Sequence, residues 1–285
     1  MTKSIRLGIS TCPNDTFAFH ALLEGKISTR GLNFEIQLLD IQQLNERLAA
    51  GQLDVAKASF YAGLKMADST IVLPCGAALG FGVGPVLLSS RATNLASIAD
   101  CENDRPLEIL CPGASTTATF LCQTMLPFAV ATRQVTFSEI IPLLAAGQAD
   151  LGACIHEGRF VWRERGLHLI ADLGEIWERQ TSKPLPLGGL LAHSDIPESV
   201  LRQVSAIVRE SIEYARANRS ETVETMRRYA QELDDEVLFA HVDLYVNDWT
   251  VDMGLQGREA LSAMHDVAVR KGLIAGDVRS LRVLS

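Results

Sequence analysis

Along the first third of the chain, short apolar runs alternate with stretches whose apolar positions recur at three and four residues, and glycine or proline closes most of them. Ser4 to Ser10 predicts a strand, Thr16 to Glu24 a helix, and Asn33 to Leu39 a second strand. Gln42 to Ala50 predicts a helix stopped by Gly51, Asp54 to Ala58 a strand, and Phe60 to Met66 the start of another helix. This βα alternation implies a parallel sheet. After Ile71-Val72-Leu73-Pro74 comes the glycine-punctuated GAALGFGVGPVLLSS, from Gly76 to Ser90.

The middle third repeats the style, with a strand at Leu107 to Cys111, a helix from about Thr117 to Leu126, and a helix ending at Ala146. Beyond His156 a further helix or two precede a strand near Leu167 to Asp172, and the Pro- and Gly-rich Ser182 to Gly189 reads as a crossing between lobes. Pro197 to Arg216, Ser220 to Gln231, Asp234 to Tyr245 and Gln256 to Lys271 are amphipathic at helical spacing, with no convincing strand among them.

One internal echo ties the halves together. Leu48-Ala-Ala-Gly-Gln-Leu-Asp-Val-Ala-Lys-Ala matches Leu144-Ala-Ala-Gly-Gln-Ala-Asp-Leu-Gly-Ala-Cys at a constant offset of 96 residues. Each copy is a helix, a glycine stop and a strand, and the period is too long for a solenoid, so it predicts two related lobes; a merely common helix stop would explain the glycine but not the polar groups beyond both strands. Open α/β sheets bind ligands beyond the carboxyl ends of their strands. That place holds Lys57 and Ser59 in the first copy and His156, Glu157 and Arg159 in the second, so the echo aims two polar sets at one cleft.

Length and composition agree with this picture. At 285 residues the chain exceeds one ordinary core, and its 47% hydrophobic and 21% charged residues suit a folded globular protein. The apolar run at the N-terminus breaks at Cys12-Pro13, short of a secretory signal, and no stretch reaches the roughly 20 apolar residues of a membrane span, so a cytoplasmic protein is expected. A net charge of -8 without a basic run argues against nucleic acid and anionic membranes as partners. Six cysteines show neither C-x-x-C nor zinc spacing, so neither disulfides nor a metal site is expected.

Four segments could carry chemistry. In STCPNDTF, Pro13 stiffens a strand-to-helix turn and Asp15 suits the N-cap; the loop either presents Asn14, Thr16 and helix amides to a ligand or simply caps a helix. Cys12 has no paired histidine and reads as a packed thiol. Gly113-Ala-Ser-Thr-Thr-Ala offers hydroxyls and amides to carboxylate or phosphate oxygens, although Ser and Thr are also ordinary caps, and no P-loop lysine follows. A His beside Glu is by itself more often structural, but its place beyond the second echo strand makes His156 the best general base in the sequence. Gly80 to Pro85 is no dinucleotide fingerprint and reads as a tight turn or hinge. The other five histidines lack metal or triad spacing and read as structural; the three tryptophans line a pocket or pack.

Taken in order, CPNDTF (12–17), LN (44–45), K-x-S (57–59), AALGFGVGP (77–85), TTA (116–118), IHEGRF (155–160), DLGEIWE (172–178), LPLGGLLA (185–192) and HVDLYVN (241–247) resemble the 1,4-dihydroxy-6-naphthoate synthases of the futalosine route to menaquinone. The likeness spans nearly the whole chain, and CPNDTF together with HEGRF is its specific part; Thr11 stands where the family often has proline. The resemblance implies an α/β, two-lobed, periplasmic-binding-protein-like (type II) fold with a cleft between lobes. Lobe 1 would comprise 1–95 and a returning helical segment, 189–285, and lobe 2 would be 96–188. It implies a cofactor-independent lyase that cleaves a carbon–carbon bond of cyclic dehypoxanthine futalosine, a small carboxylated substrate, and aromatises it, with a homodimer open as the assembly. By motif, His156 is the proton acceptor, Lys57, Ala58, Ser59, Thr116 and Thr117 contact substrate, and Asn14 and Asn45 line the cleft. The competing readings are a non-catalytic solute-binding protein and the chorismate dehydratase of the same pathway. An export signal or fused signalling domain would favour the first; the second lacks the CPNDTF and HEGRF pairing.

Overall fold

A computed structural model describes residues 4–99, 106–156, 158–229 and 234–285. Its strands are β1 (Ser4–Ser10), β2 (Asn33–Leu39), β3 (Val55–Ser59), β4 (Thr70–Val72), β5 (Ala78–Gly80), β6 (Val86–Ser89), β7 (Leu107–Cys111), β8 (Val130–Gln134), β9 (Leu151–Cys154), β10 (His168–Asp172) and β11 (Leu185–His193). The chain divides into two compact units, Met1–Gly80 with Pro186–Ser285, and Phe81–Leu185. No described helix is long and apolar enough to cross a membrane.

The sheet of the first unit runs β2-β1-β3-β11-β4, with β5 also on β11. β1 pairs parallel with β2 and β3, as the βα alternation predicts, but β11 lies antiparallel between β3 and β4. The sheet is therefore mixed rather than parallel, and the stretch expected to be a crossing does hold the passage from one unit to the other, at Leu185–Pro186, while most of it lies in a central strand. Its prolines and glycines hid it. Side chains at Gly188 and Gly189 would strike the Ala58 carbonyl and the Phe60 ring at 2.6 Å, so this strand must be small where it passes β3.

Helix Glu198–Ala217 covers this sheet. Leu201, Val204, Val208 and Ile212 recur at helical spacing and join Leu7, Ile9 and Val55 in one core. Burying such a residue fully contributes about 1.5–3 kcal/mol. A neighbouring cluster packs Phe17 against Ala215, Met226, Leu238 and Val242, which fixes the segment following β1. That segment is not one helix over Thr16 to Glu24. Helix Pro13–Ala18 ends at Phe19, and a second short helix, His20–Leu23, follows.

The second unit has the order β10-β6-β9-β7-β8. β7 is parallel to both β8 and β9, whereas β6 is antiparallel to β9 and to β10. Its core gathers Val86, Leu88, Leu110, Ile140, Leu144 and Trp162.

The echo has a direct structural counterpart. Helices Ile41–Ala49 and Ile140–Ala145 both end on a left-handed glycine, Gly51 at φ 68° and Gly147 at φ 66°. Gly51 N–H donates to Leu48 O and Gln52 N–H to Arg47 O; Gly147 N–H donates to Leu144 O and Gln148 N–H to Leu143 O, all at 2.9–3.0 Å. The strands that follow dock in matching register, Val55 opposite Leu7 and Leu151 opposite Ile109. Each then takes an antiparallel neighbour, β11 beside β3 and β6 beside β9.

Candidate active site

In the first unit the polar group grows from two adjacent strand ends. β3 is buried along its whole length, as a central strand should be, yet it carries a lysine. Lys57 is 6% exposed, and its ammonium lies 3.0 Å from Asp15 Oδ1 and donates to the Gly76 carbonyl at 2.8 Å. Asp15 also accepts from the Ser10 backbone N–H at 3.2 Å and from Asn14 Nδ2 at 2.9 Å.

Asp15 is therefore not the N-cap. Cys12 takes that position with extended backbone and no side-chain cap, Pro13 opens the helix, and Asp15 sits in its first turn, where a carboxylate is favoured by the helix dipole. The carboxylate turns toward Lys57 because an unpaired buried ammonium would be far costlier than a missing cap.

Two residues further along β3, the Ser59 N–H donates to Asn45 Oδ1 at 2.9 Å, and Asn45 Nδ2 donates to Ser59 Oγ at 3.3 Å. Asn45 is buried on helix Ile41–Ala49, whose Asp40 and Gln43 form a reciprocal capping box that fixes its start. Ala58 contributes backbone and pairs with Gly189. Asn14, Lys57, Ser59 and Asn45 thus fall around the ends of β1 and β3, with Asp15 among them. The signal for Asp15 was available: a lysine on a central strand needs a counter-ion, and the loop beyond the adjacent strand holds one acid.

In the second unit, Thr116 and Thr117 follow β7, and His156 follows its parallel neighbour β9. Thr116 is the N-cap of helix Thr117–Met125; its Oγ1 accepts from the Thr119 N–H at 3.3 Å and donates to the Gly113 carbonyl at 2.8 Å. Thr119 Oγ1 donates to the same carbonyl at 2.7 Å, so the loop is tied down by its own hydroxyls. Both Thr116 and Thr117 are buried.

His156 is half-buried and sits in the left-handed region, at φ 54°. Side chains other than glycine adopt this conformation at a cost, and such residues cluster at functional sites. The turn is closed by Gly158 N–H to Ile155 O and Arg159 N–H to His156 O, each at 3.2 Å. The imidazole meets the Phe137 ring edge-on, with centroids 5.0 Å apart. A conformationally restrained imidazole at a strand end suits proton transfer.

Arg159, which follows β9, is engaged by groups of its own unit. Its guanidinium binds the Asp172 carboxylate at 2.6 Å, Gly82 O at 2.8 Å and Gly84 O. Asp172 uses its other oxygen to cap helix Leu173–Thr181, and Glu178 from that helix accepts from the Gly82 N–H at 2.7 Å. Gly84 and Gly174 pass so closely that a Cβ on Gly84 would lie 2.3 Å from the Gly174 backbone. Arg159, the start of helix Leu173–Thr181 and the Gly82–Gly84 stretch are thereby tied together. Glu157 lies outside the described residues.

Among the described residues, no three His, Cys, Asp and Glu side chains stand together as metal ligands. The Cys122 thiol hydrogen-bonds that of Cys111, which lowers Cys111 and raises Cys122, and both are buried. Of the remaining histidines, His20 pairs with Thr225, His193 with Leu48 O and His265 with Val278 O.

This arrangement of sheets belongs to a known class. A Candida albicans protein whose structure exhibits the generic periplasmic binding protein fold superposes with a TM-score of 0.66 at 13% identity, over 96% of this chain and 92% of that one. Protein AF1704 of Archaeoglobus fulgidus is closer, with a TM-score of 0.88 at 30% identity over 95% and 98%. The fold is periplasmic-binding-protein-like. Residues 5–270 match the family described as menaquinone biosynthesis, and the chain belongs to that family. It is 37% identical to a 1,4-dihydroxy-6-naphthoate synthase of Thermus thermophilus over 99% of this chain and 100% of that protein. It is 34% identical to one of Streptomyces coelicolor over 95% of each.

Proposed function

We propose that the protein is a 1,4-dihydroxy-6-naphthoate synthase in menaquinone biosynthesis, acting on cyclic dehypoxanthine futalosine as a lyase that needs neither metal nor organic cofactor. The observation that carries this reading is the end-to-end likeness to two synthases, 37% and 34% identical over nearly the whole chain.

In this reading His156 removes a proton activated by a substrate carbonyl, and carbon–carbon cleavage and aromatisation follow. Lys57 and Ser59 donate to the oxygen that gains charge, and Asn45 orients Ser59. Thr117, at the start of helix Thr117–Met125, takes the substrate carboxylate. Thr116 supports it, because its hydroxyl is already spent on the cap and on Gly113 O.

The test is to incubate chelator-treated, dialysed protein with cyclic dehypoxanthine futalosine and to follow the naphthoate by absorbance and mass. Product is expected. Tight binding without product would instead indicate a solute-binding protein, and neither binding nor product would overturn the reading and make chorismate the next substrate to try.

A further inference from the structure

A buried lysine that touches a ligand must be held charged and aimed, and the first unit shows how this is done. An ammonium has three donors. At Lys57 one faces Asp15 Oδ1 and one the Gly76 carbonyl, which leaves a single donor direction. Lys57 and Ser59 are two residues apart on β3, so they project from the same face of the strand. Because the Ser59 oxygen accepts from Asn45, its own proton can be donated elsewhere. Two donors on one face fit an anionic oxygen, either a carboxylate or an enolate.

Asp15 is the only carboxylate that any described contact brings to Lys57. It is itself held by the Ser10 N–H and by Asn14, and its helix is pinned by Phe17 in the apolar cluster with Met226 and Leu238. A buried ion pair adds little net stability over an apolar pair, so stability alone does not account for this one.

We propose that Asp15 is a positioning residue for the reaction: it fixes the Lys57 ammonium so that the remaining N–H, together with the Ser59 hydroxyl, receives an anionic oxygen of the substrate. The inference rests on the reading above that Lys57 contacts substrate.

The experiment compares Asp15→Asn, Asp15→Glu, Lys57→Met and the double variant Asp15→Asn/Lys57→Met, with kcat, KM and Tm measured on the full chain. Asp15→Asn should lower kcat at least tenfold with a smaller change in KM, and Asp15→Glu should recover part of the loss. In the Lys57→Met background, Asp15→Asn should have no further effect on kcat, since its route to the substrate is gone. If Asp15→Asn alone does not fold, Asp15→Glu, which keeps the charge pair but displaces the ammonium, decides: a lowered kcat at near-parental Tm supports the inference, and an unchanged kcat overturns it. An equal further loss in that background, or an Asp15→Asn enzyme with normal kcat beside an impaired Lys57→Met, overturns the inference alone. A Lys57→Met enzyme with normal kcat removes Lys57 from the proposed function and the inference with it.

Discussion

The guanidinium of Arg159 and the carboxylate of Asp172 meet at 2.6 Å, both largely buried, and the second oxygen of that carboxylate caps the helix that follows it. One side chain therefore anchors the turn after His156 and starts helix Leu173–Thr181. Asp172→Ala should cost about 3–5 kcal/mol, because it strands a buried guanidinium and removes a cap. Asp172→Asn keeps the cap and should cost less. Urea unfolding of the two variants checks the order.

His156 holds a left-handed conformation that asparagine tolerates well. His156→Asn should therefore leave the unfolding midpoint nearly unchanged while lowering turnover by about 10²–10⁴-fold, the usual loss of a general base. Turnover near that of the parent would remove His156 from the role.

Backbone crowding at Gly84 admits no side chain. Gly84→Ala should destabilise by about 1–3 kcal/mol through overpacking, measured as a fall in Tm, whereas Gly84→Ala in combination with Gly174→Ala should be no better than either alone.

Acid should loosen the protein through His20. Burial holds its imidazole below the ordinary value of 6.5, against the pull of Glu24 and Glu221 and with a small push from Lys26 and Arg228. The unfolded chain then binds the proton more readily than the folded one, so the contribution is complete above about pH 6.5 and is lost as pH falls through the lower folded value. Asp54 is also lowered, by its Arg6 partner, but that contribution disappears only within the more acidic carboxylate range. Urea midpoints between pH 7.5 and pH 5.5 should fall in the parent and fall less in His20→Gln.

Burial pushes the thiols of Cys75 and Cys154 up to about 12. Thiolate is the reactive form, so both should resist iodoacetamide in the native protein and react after unfolding. Site-resolved mass spectrometry reads the difference directly.

The βα units with clean apolar runs were legible in the sequence: β1, β2 and β7 fall on the residues expected. So was the echo, because a glycine stop before a buried strand leaves an unmistakable pattern. β8 was missed because it is an edge strand with a half-exposed, polar V-A-T-R-Q, and β11 because close packing against β3 demands glycines that read as a linker. At the candidate site, strand-end placement pointed to Lys57, Ser59 and His156. Asp15 was misjudged because local capping chemistry and a long-range ion pair compete for the same side chain, and the lysine on β3 was the cue that the ion pair wins. The role of Arg159 was not legible in the sequence, because its partners lie 13 to 77 residues away.

β11 has a consequence for the order of folding. It is the only described link between β3 and β4, and it emerges after residue 185, whereas Phe81–Leu185 is a continuous segment with its own core. On the ribosome the second unit can finish first, while β3 waits with an unpaired edge. The interval until β11 arrives is when the nascent chain is most exposed to aggregation.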